Sequence, residues 1–295
     1  MTTAIKDGRP SRWLGPGLAF PASLVVLVII LVPILQLARY SFNHFDPADL
    51  MQTAFTFENY TKFFGDPYYR DIFFTTLWVA GLCTVLALVL GFPVAYFLAR
   101  TQSRYKSLFV ILLVFPLMVG NVVRAAGWMV ALGNAGVVNA VLQGLGLGLI
   151  DKPLTLMYTP TAVVIGTTAV VMPYLILTLQ SVLEGMDLSV EEAARNVGAS
   201  FFTTFRRIVL PIAAPGVAAG TMLVFILCMN AYATPVLLGG SGLTMMAPAL
   251  YDQITRASNW PFGAALAVIL VCGTLAIALV SNWLIHRRYI KTMAS

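Results

Sequence analysis

The sequence predicts an all-α integral membrane protein with six transmembrane helices, and three observations carry that prediction. Of its 295 residues, 59% are hydrophobic and only 10% are charged, against about a quarter charged in soluble domains. The apolar residues gather into six runs, each near the roughly 20 residues that cross ~30 Å of hydrocarbon as a helix. The basic residues are divided unequally between the two sets of connecting segments.

The runs lie at 17–37, 72–98, 108–132, 161–183, 212–237 and 263–285. The first is too long for the core of a signal peptide and is followed by Arg39 and Tyr40, not by a small-residue cleavage site, so it reads as a retained span. Segment 42–71, rich in aromatics and acids, suits a folded loop at the membrane face, and the glycine-rich 133–160 suits a short interfacial helix. The remaining pieces are an N-terminal segment 1–16, a loop 184–211 inside the 17–285 membrane domain, and a tail 286–295. No fixed-period repeat divides the chain into halves.

Six spans put both termini on one side. That side carries Lys6, Arg9, Arg12, Arg100, Arg104, Lys106, Arg195, Arg206, Arg207, Arg287, Arg288 and Lys291; the other carries Arg39, Lys62, Arg70, Lys152 and Arg256. The positive-inside rule makes the termini cytoplasmic. The net charge of +6 is therefore a topology signal, and no nucleic-acid partner is expected. Cys83, Cys228 and Cys272 sit apart in apolar runs and suggest neither a disulfide framework nor a metal site.

The loop 184–211 contains EEAARNVGASFFTTFRRIVLP. Ser189 with Glu192 forms a capping-box pattern, so a helix is expected over Val190–Val197. Gly198 supplies a left-handed stop. Ser200 can cap a second helix with Phe201, Phe205 and Ile208 on one face and Arg206 and Arg207 near the headgroups, and Pro211 can open the fifth span. Ala193 and Ala194 make a face that another protein can approach closely. From the residues alone, this is either a docking element or a solvated loop.

The pattern Glu192, Ala193, Ala194, Gly198, Ile208, Leu210 and Pro211, with its full spacing, resembles the EAA loop of permease subunits of bacterial ATP-binding-cassette (ABC) importers. FTFENYTKFF, NVVRAAGW, TPVLLGG and NWPFGAALA extend the resemblance over most of 55–285, to the spermidine/putrescine branch. The resemblance implies a type I ABC importer permease fold in a bacterial inner membrane, with the seven EAA-loop residues coupling to an ATPase and Glu192, Ala193, Ala194 and Gly198 docking on it. It implies a sister permease, two ATP-binding subunits, a solute-binding protein and surrounding lipid as partners. No lysine follows a glycine, as a Walker A loop requires. ATP and Mg are thus expected on the partner ATPase, with no cofactor and no enzymatic site on this chain.

Candidate path residues follow from polarity in apolar surroundings. Asn230 and Tyr232 in the fifth run need a protein or cavity partner, as an interhelical hydrogen bond or as a cargo contact. Arg124, placed toward the outer end of the third run, either snorkels, pairs, or holds an anionic group; Trp128 is an interfacial anchor or a path aromatic. Asp252 and Trp260 belong to the connection before the sixth run. Polyamine permeases tend to carry an acid near the LLGG segment, where this chain has Ala231 and Val236. A polyamine cargo would then rely on Asp71, Asp252, aromatics or the sister subunit; a zwitterionic or anionic amine is the alternative cargo. A self-contained secondary transporter would need ionisable residues within its spans, and only Arg124 is present.

Overall fold

The computed structural model describes residues 14–144, 154–240 and 242–293. Lys6, Arg9, Arg12, Asp151 and Lys152, together with most of segment 1–16, lie outside the described residues. The described chain is helical apart from one isolated antiparallel bridge between His44 and Gln52. Six of its helical stretches are long and apolar enough to cross a membrane.

Helices α1 (Leu14–Tyr40), α2 (Glu58–Gly65) and α3 (Pro67–Arg100) open the fold. Asp66 starts α3 by accepting the Tyr68 amide at 2.9 Å, and Pro67 follows where a missing amide matters least. The predicted single span 108–132 is two helices, α4 (Lys106–Met118) and α5 (Asn121–Leu132). Pro116 lacks an amide and crowds the preceding turn, and Gly120 takes an extended conformation (φ −58°, ψ 146°), so the helix stops and restarts. By length and composition the third crossing stretch is Asn121–Gly144, which includes the short α6 (Val137–Gly144). A short helix thus occurs within 133–160, but as part of the third crossing stretch.

Next come α7 (Pro160–Glu184), α8 (Leu188–Asn196), α9 (Phe201–Thr204), a π-helical turn Phe205–Val209 and α10 (Leu210–Met229). The predicted fifth span 212–237 needs correction at both ends. Phe201–Met229 is one continuous apolar stretch, so Pro211 lies within it instead of opening it; the wide turn, with the Leu210 amide on the Phe205 carbonyl, shifts the ladder just before the proline. The span stops at Met229, where the Asn230 side chain donates to the Ile226 carbonyl at 2.9 Å and competes with the backbone ladder. A second π-helical turn, Pro235–Gly239, then leads to α11 (Met246–Thr255) and α12 (Trp260–Met293).

The core is the three-helix seam of α3, α7 and α10. Val79, Ala80, Cys83 and Ala87 form a buried stripe on α3, and Leu175, Ile176, Leu179 and Leu183 one on α7, at the i+3/i+4 spacing of one helix face. Opposite them α10 presents Ala213, Gly216 and Gly220. A Cβ on Gly216 would stand 2.5 Å from the Val182 side chain, and one on Gly220 2.8 Å from Leu175. Small residues thus set the backbone spacing, as is usual between membrane helices. By contrast, α1 is exposed along its apolar length and packs mainly on α12.

Candidate functional site

Two regions at opposite ends of the bundle gather the residues singled out by the sequence. At one end, Asp187 caps α8 by accepting the Ser189 amide at 2.9 Å. The expected Ser189–Glu192 box is not what starts this helix: a carboxylate two residues earlier takes the orphan amide, and Glu192 is exposed. The Ser189 amide, then its hydroxyl, holds the Asp187 carboxyl below its usual range. Gly198 adopts φ +83° with open space around its Cβ position, so conformation and not crowding selects glycine there. The Gly198 amide bonds the Arg195 carbonyl at 2.9 Å and the Ala199 amide the Ala194 carbonyl at 3.0 Å, the paired closure of a Schellman stop. Ser200 then caps α9 through the Thr203 amide at 3.3 Å.

The result is a V of two short helices around an apolar cleft of about 510 Å³ lined by Val190, Ala193, Ala194, Val197, Ala199, Thr203, Thr204, Arg207 and Ile208. Ala193, Ala194 and Ile208 of the sequence pattern meet here. Glu192 and Gly198 flank the cleft, while Leu210 and Pro211 belong to the next turn of the long helix. Sequence reasoning missed Glu191, which is the buried acid at 3% exposure. One of its oxygens pairs with Arg100, and the other accepts the Tyr96 hydroxyl at 2.9 Å. The available signal was periodicity, since Glu191 shares the inward face with Ala194, three residues on.

Arg124 sits one turn past the α4–α5 break, at the level of Val170 in the middle of α7, not near the outer end of its span. Its guanidinium bonds Asn121 and reaches the Val170 carbonyl at 3.4 Å. It lines a cavity of about 320 Å³ with Trp128, Pro116, Gly127, Ala131 and Ala169. Tyr232 packs on Tyr251, ring centroids 4.8 Å apart. Asp252 pairs with Arg256 at 3.2 Å and so is not a free carboxylate. Trp260 begins α12, half exposed, outside both groups.

A groove of about 910 Å³ runs down α3 from Tyr68 and Asp71 past Phe74, Thr75 and Trp78 to Leu82 and Leu86. Its other wall is Pro160, Thr161, Val164 and Ile165 of α7 with Gly242, Leu243 and Thr244. Among the described residues no basic side chain pairs with Asp71. A carboxylate beside three aromatic rings above an aliphatic floor is suited to an extended organic cation, because ring faces attract ammonium groups. Among the described residues, no group of three His, Cys, Asp or Glu is arranged to hold a metal.

The family model for the binding-protein-dependent transport system inner membrane component matches residues 85–288. The spermidine/putrescine transport system permease protein PotB of Escherichia coli (strain K12) is 33% identical over 258 residues, covering 88% of this chain and 92% of that protein. The protein of the same name from Haemophilus influenzae is 30% identical over 266 residues, covering 89% and 92%. Among solved structures, a bacterial alginate ABC transporter in complex with an alginate pentasaccharide-bound periplasmic protein superposes with a TM-score of 0.76 at 16% identity, over 94% of this chain and 95% of that one.

Proposed function

The chain belongs to the family of binding-protein-dependent transport system inner membrane components, the permease subunits of ABC importers, and from that premise we propose that it carries polyamines of the spermidine/putrescine class. The observation that carries this reading is the 33% identity to a spermidine/putrescine permease along nearly the full length of both chains. The Asp71 groove supports it chemically. A polyamine alternates ammonium groups with methylene segments, and the groove alternates a carboxylate and ring faces with aliphatic wall.

In this reading the chain is a multi-pass membrane protein with both termini cytoplasmic, and it builds the pathway together with a sister permease. Two ATP-binding subunits sit beneath and hold ATP and Mg; a solute-binding protein delivers cargo from outside. Glu192, Ala193, Ala194 and Gly198 form the docking surface, and the cleft between α8 and α9, which includes Ile208, receives the ATPase. Leu210 and Pro211 lie where that motion enters the long helix 201–229. Closure of the ATPases then alternates access along the route, to which Arg124, Trp128, Asn230, Tyr232, Asp252 and Trp260 are assigned in this reading. The chemistry on this chain is binding and motion, and phosphoryl transfer belongs to the partner.

A second reading has one observation in its favour, the Arg124–Trp128 cavity, whose guanidinium suits the carboxylate or phosphonate of a zwitterionic amine. The test is solute-stimulated ATP hydrolysis by the complex purified through this chain and reconstituted with its binding protein. Spermidine, putrescine, 4-aminobutyrate and an aminophosphonate are compared. Stimulation by the polyamines is expected. Stimulation by a zwitterion alone would overturn the cargo assignment and make Arg124 its determinant.

A further inference from the structure

Reading α8 as the docking helix leaves open how its movement enters the membrane. The backbone runs from α8 through α9 into the long helix ending at Met229, which is one route. A second route is built from side chains. Glu191 and Ala194 are the buried residues of α8, and the Glu191 carboxylate is held by two side chains of α3. Arg100, the last residue of α3, pairs with one carboxylate oxygen while its other amino group donates to the Leu183 carbonyl near the end of α7 at 2.8 Å. Tyr96, one turn earlier on α3, donates its hydroxyl to the second oxygen at 2.9 Å. The Tyr96 ring stacks under the Arg100 guanidinium at 5.7 Å and meets edges of Phe201 and Phe205 at 6.0 and 6.2 Å.

We infer that the Glu191–Arg100–Tyr96 network is a mechanical link that carries movement of α8 into α3, so that the second span is driven together with the fifth. This rests on the reading of α8 as the ATPase-docking helix and adds to it a positioning role for three residues. Three features favour a link over a passive anchor. The carboxylate is held on both oxygens, so its direction is fixed as well as its distance. Arg100 grips the α7 backbone at the same time, so α3 and α7 move as one. The same α3 helix carries Asp71 and Trp78 on the wall of the outer groove, so displacement at Arg100 reaches that wall along one continuous helix, with Pro93 as the point where it can bend.

The link is tested in the complex purified with its ATPase, with a fluorophore on Val85→Cys in a Cys272→Ser background. Val85 lies on an exposed face of α3, and Cys272 is the exposed native cysteine. The readouts are ATP hydrolysis and the fluorescence change on trapping with ATP and vanadate, neither of which depends on knowing the cargo. Glu191→Gln and Arg100→Gln are expected to shrink the fluorescence change by roughly 2- to 30-fold, the range that substitutions along coupling networks give. Hydrolysis should fall much less, and the double variant should be no worse than either single one. A full response in Glu191→Gln, or single effects that multiply in the double variant, would overturn the link, as would an unaltered chain with no response at position 85. Where Glu191→Gln does not assemble, Tyr96→Phe removes one hydroxyl and decides alone, an undiminished response counting against the link. Failure of any ATPase to copurify with the unaltered chain would instead sink the docking reading on which the link depends.

Discussion

The two ends of this bundle treat charge in opposite ways. Beneath α8 the buried charge is paired, Arg100 with Glu191, and Lys106 pairs with Glu184 nearby at 2.9 Å. At the groove end Asp71 stands without a basic partner among the described residues, beside exposed Tyr68, Phe74 and Trp78. Paired, buried charge fixes one geometry because any displacement exposes an uncompensated ion. An unpaired carboxylate in an open groove leaves its interaction free for a visitor. The contrast matches the proposed division of labour, in which one end transmits and the other binds.

The largest expected effect breaks the transmitting end. Arg100→Met strands the buried Glu191 carboxylate, and removing one partner of such a pair costs about 3–5 kcal/mol. Thermal unfolding of the detergent-solubilised protein should report it, and Arg100→Met with Glu191→Leu should recover most of the loss. Recovery of nothing would mean that the pair is not the determinant. Next in size is the seam between the two ends. Gly216→Val places a side chain where a Cβ already stands 2.5 Å from Val182, and overpacking of this kind costs about 1–3 kcal/mol. The same melting experiment checks it, with Gly81→Ala as a control, since no atom lies within 4 Å of a Cβ there.

A smaller effect sharpens the binding end. Asp71→Asn removes the charge without changing shape, and at an exposed site an ion pair is worth about 0.2–1 kcal/mol. The half-saturating polyamine concentration for stimulated ATP hydrolysis should therefore rise about 1.4- to 5-fold. An unchanged value would remove Asp71 from the cargo route.

The legibility of the molecule follows the same division. Helical class, six crossings and the turn at Gly198 were readable, because each depends on local composition or on a conformation that one residue type adopts cheaply. The break at Val119–Gly120 was hidden inside a run that stays apolar on both sides of Pro116, where hydropathy is blind to a missing hydrogen bond. The Asp252–Arg256 pair was open to reading from its i, i+4 spacing. The Glu191–Arg100 pair was not, because 91 residues separate the partners and only the packing of α3 beside α8 brings them together. Of the two adjacent acids, sequence resemblance drew attention to Glu192, whereas burial selects Glu191.

The smallest effect concerns the start of α8. Hydrogen bonds from Ser189 hold the Asp187 carboxyl below the usual aspartate range, so the ionised form is favoured in the folded loop. Its contribution is fully present above the unfolded value and is lost as pH falls through the folded one. Asp187→Ala should therefore loosen the first turn of α8 at neutral pH, seen as faster amide exchange at Ser189 and Val190. The gap between variant and parent should close on acidification below about pH 4. Since Asp187 is exposed and Glu191 is buried, the rest of α8 should stay protected in that variant. Exchange spreading over the whole helix would mean that the cap, and not the buried pair, is what holds α8 in place.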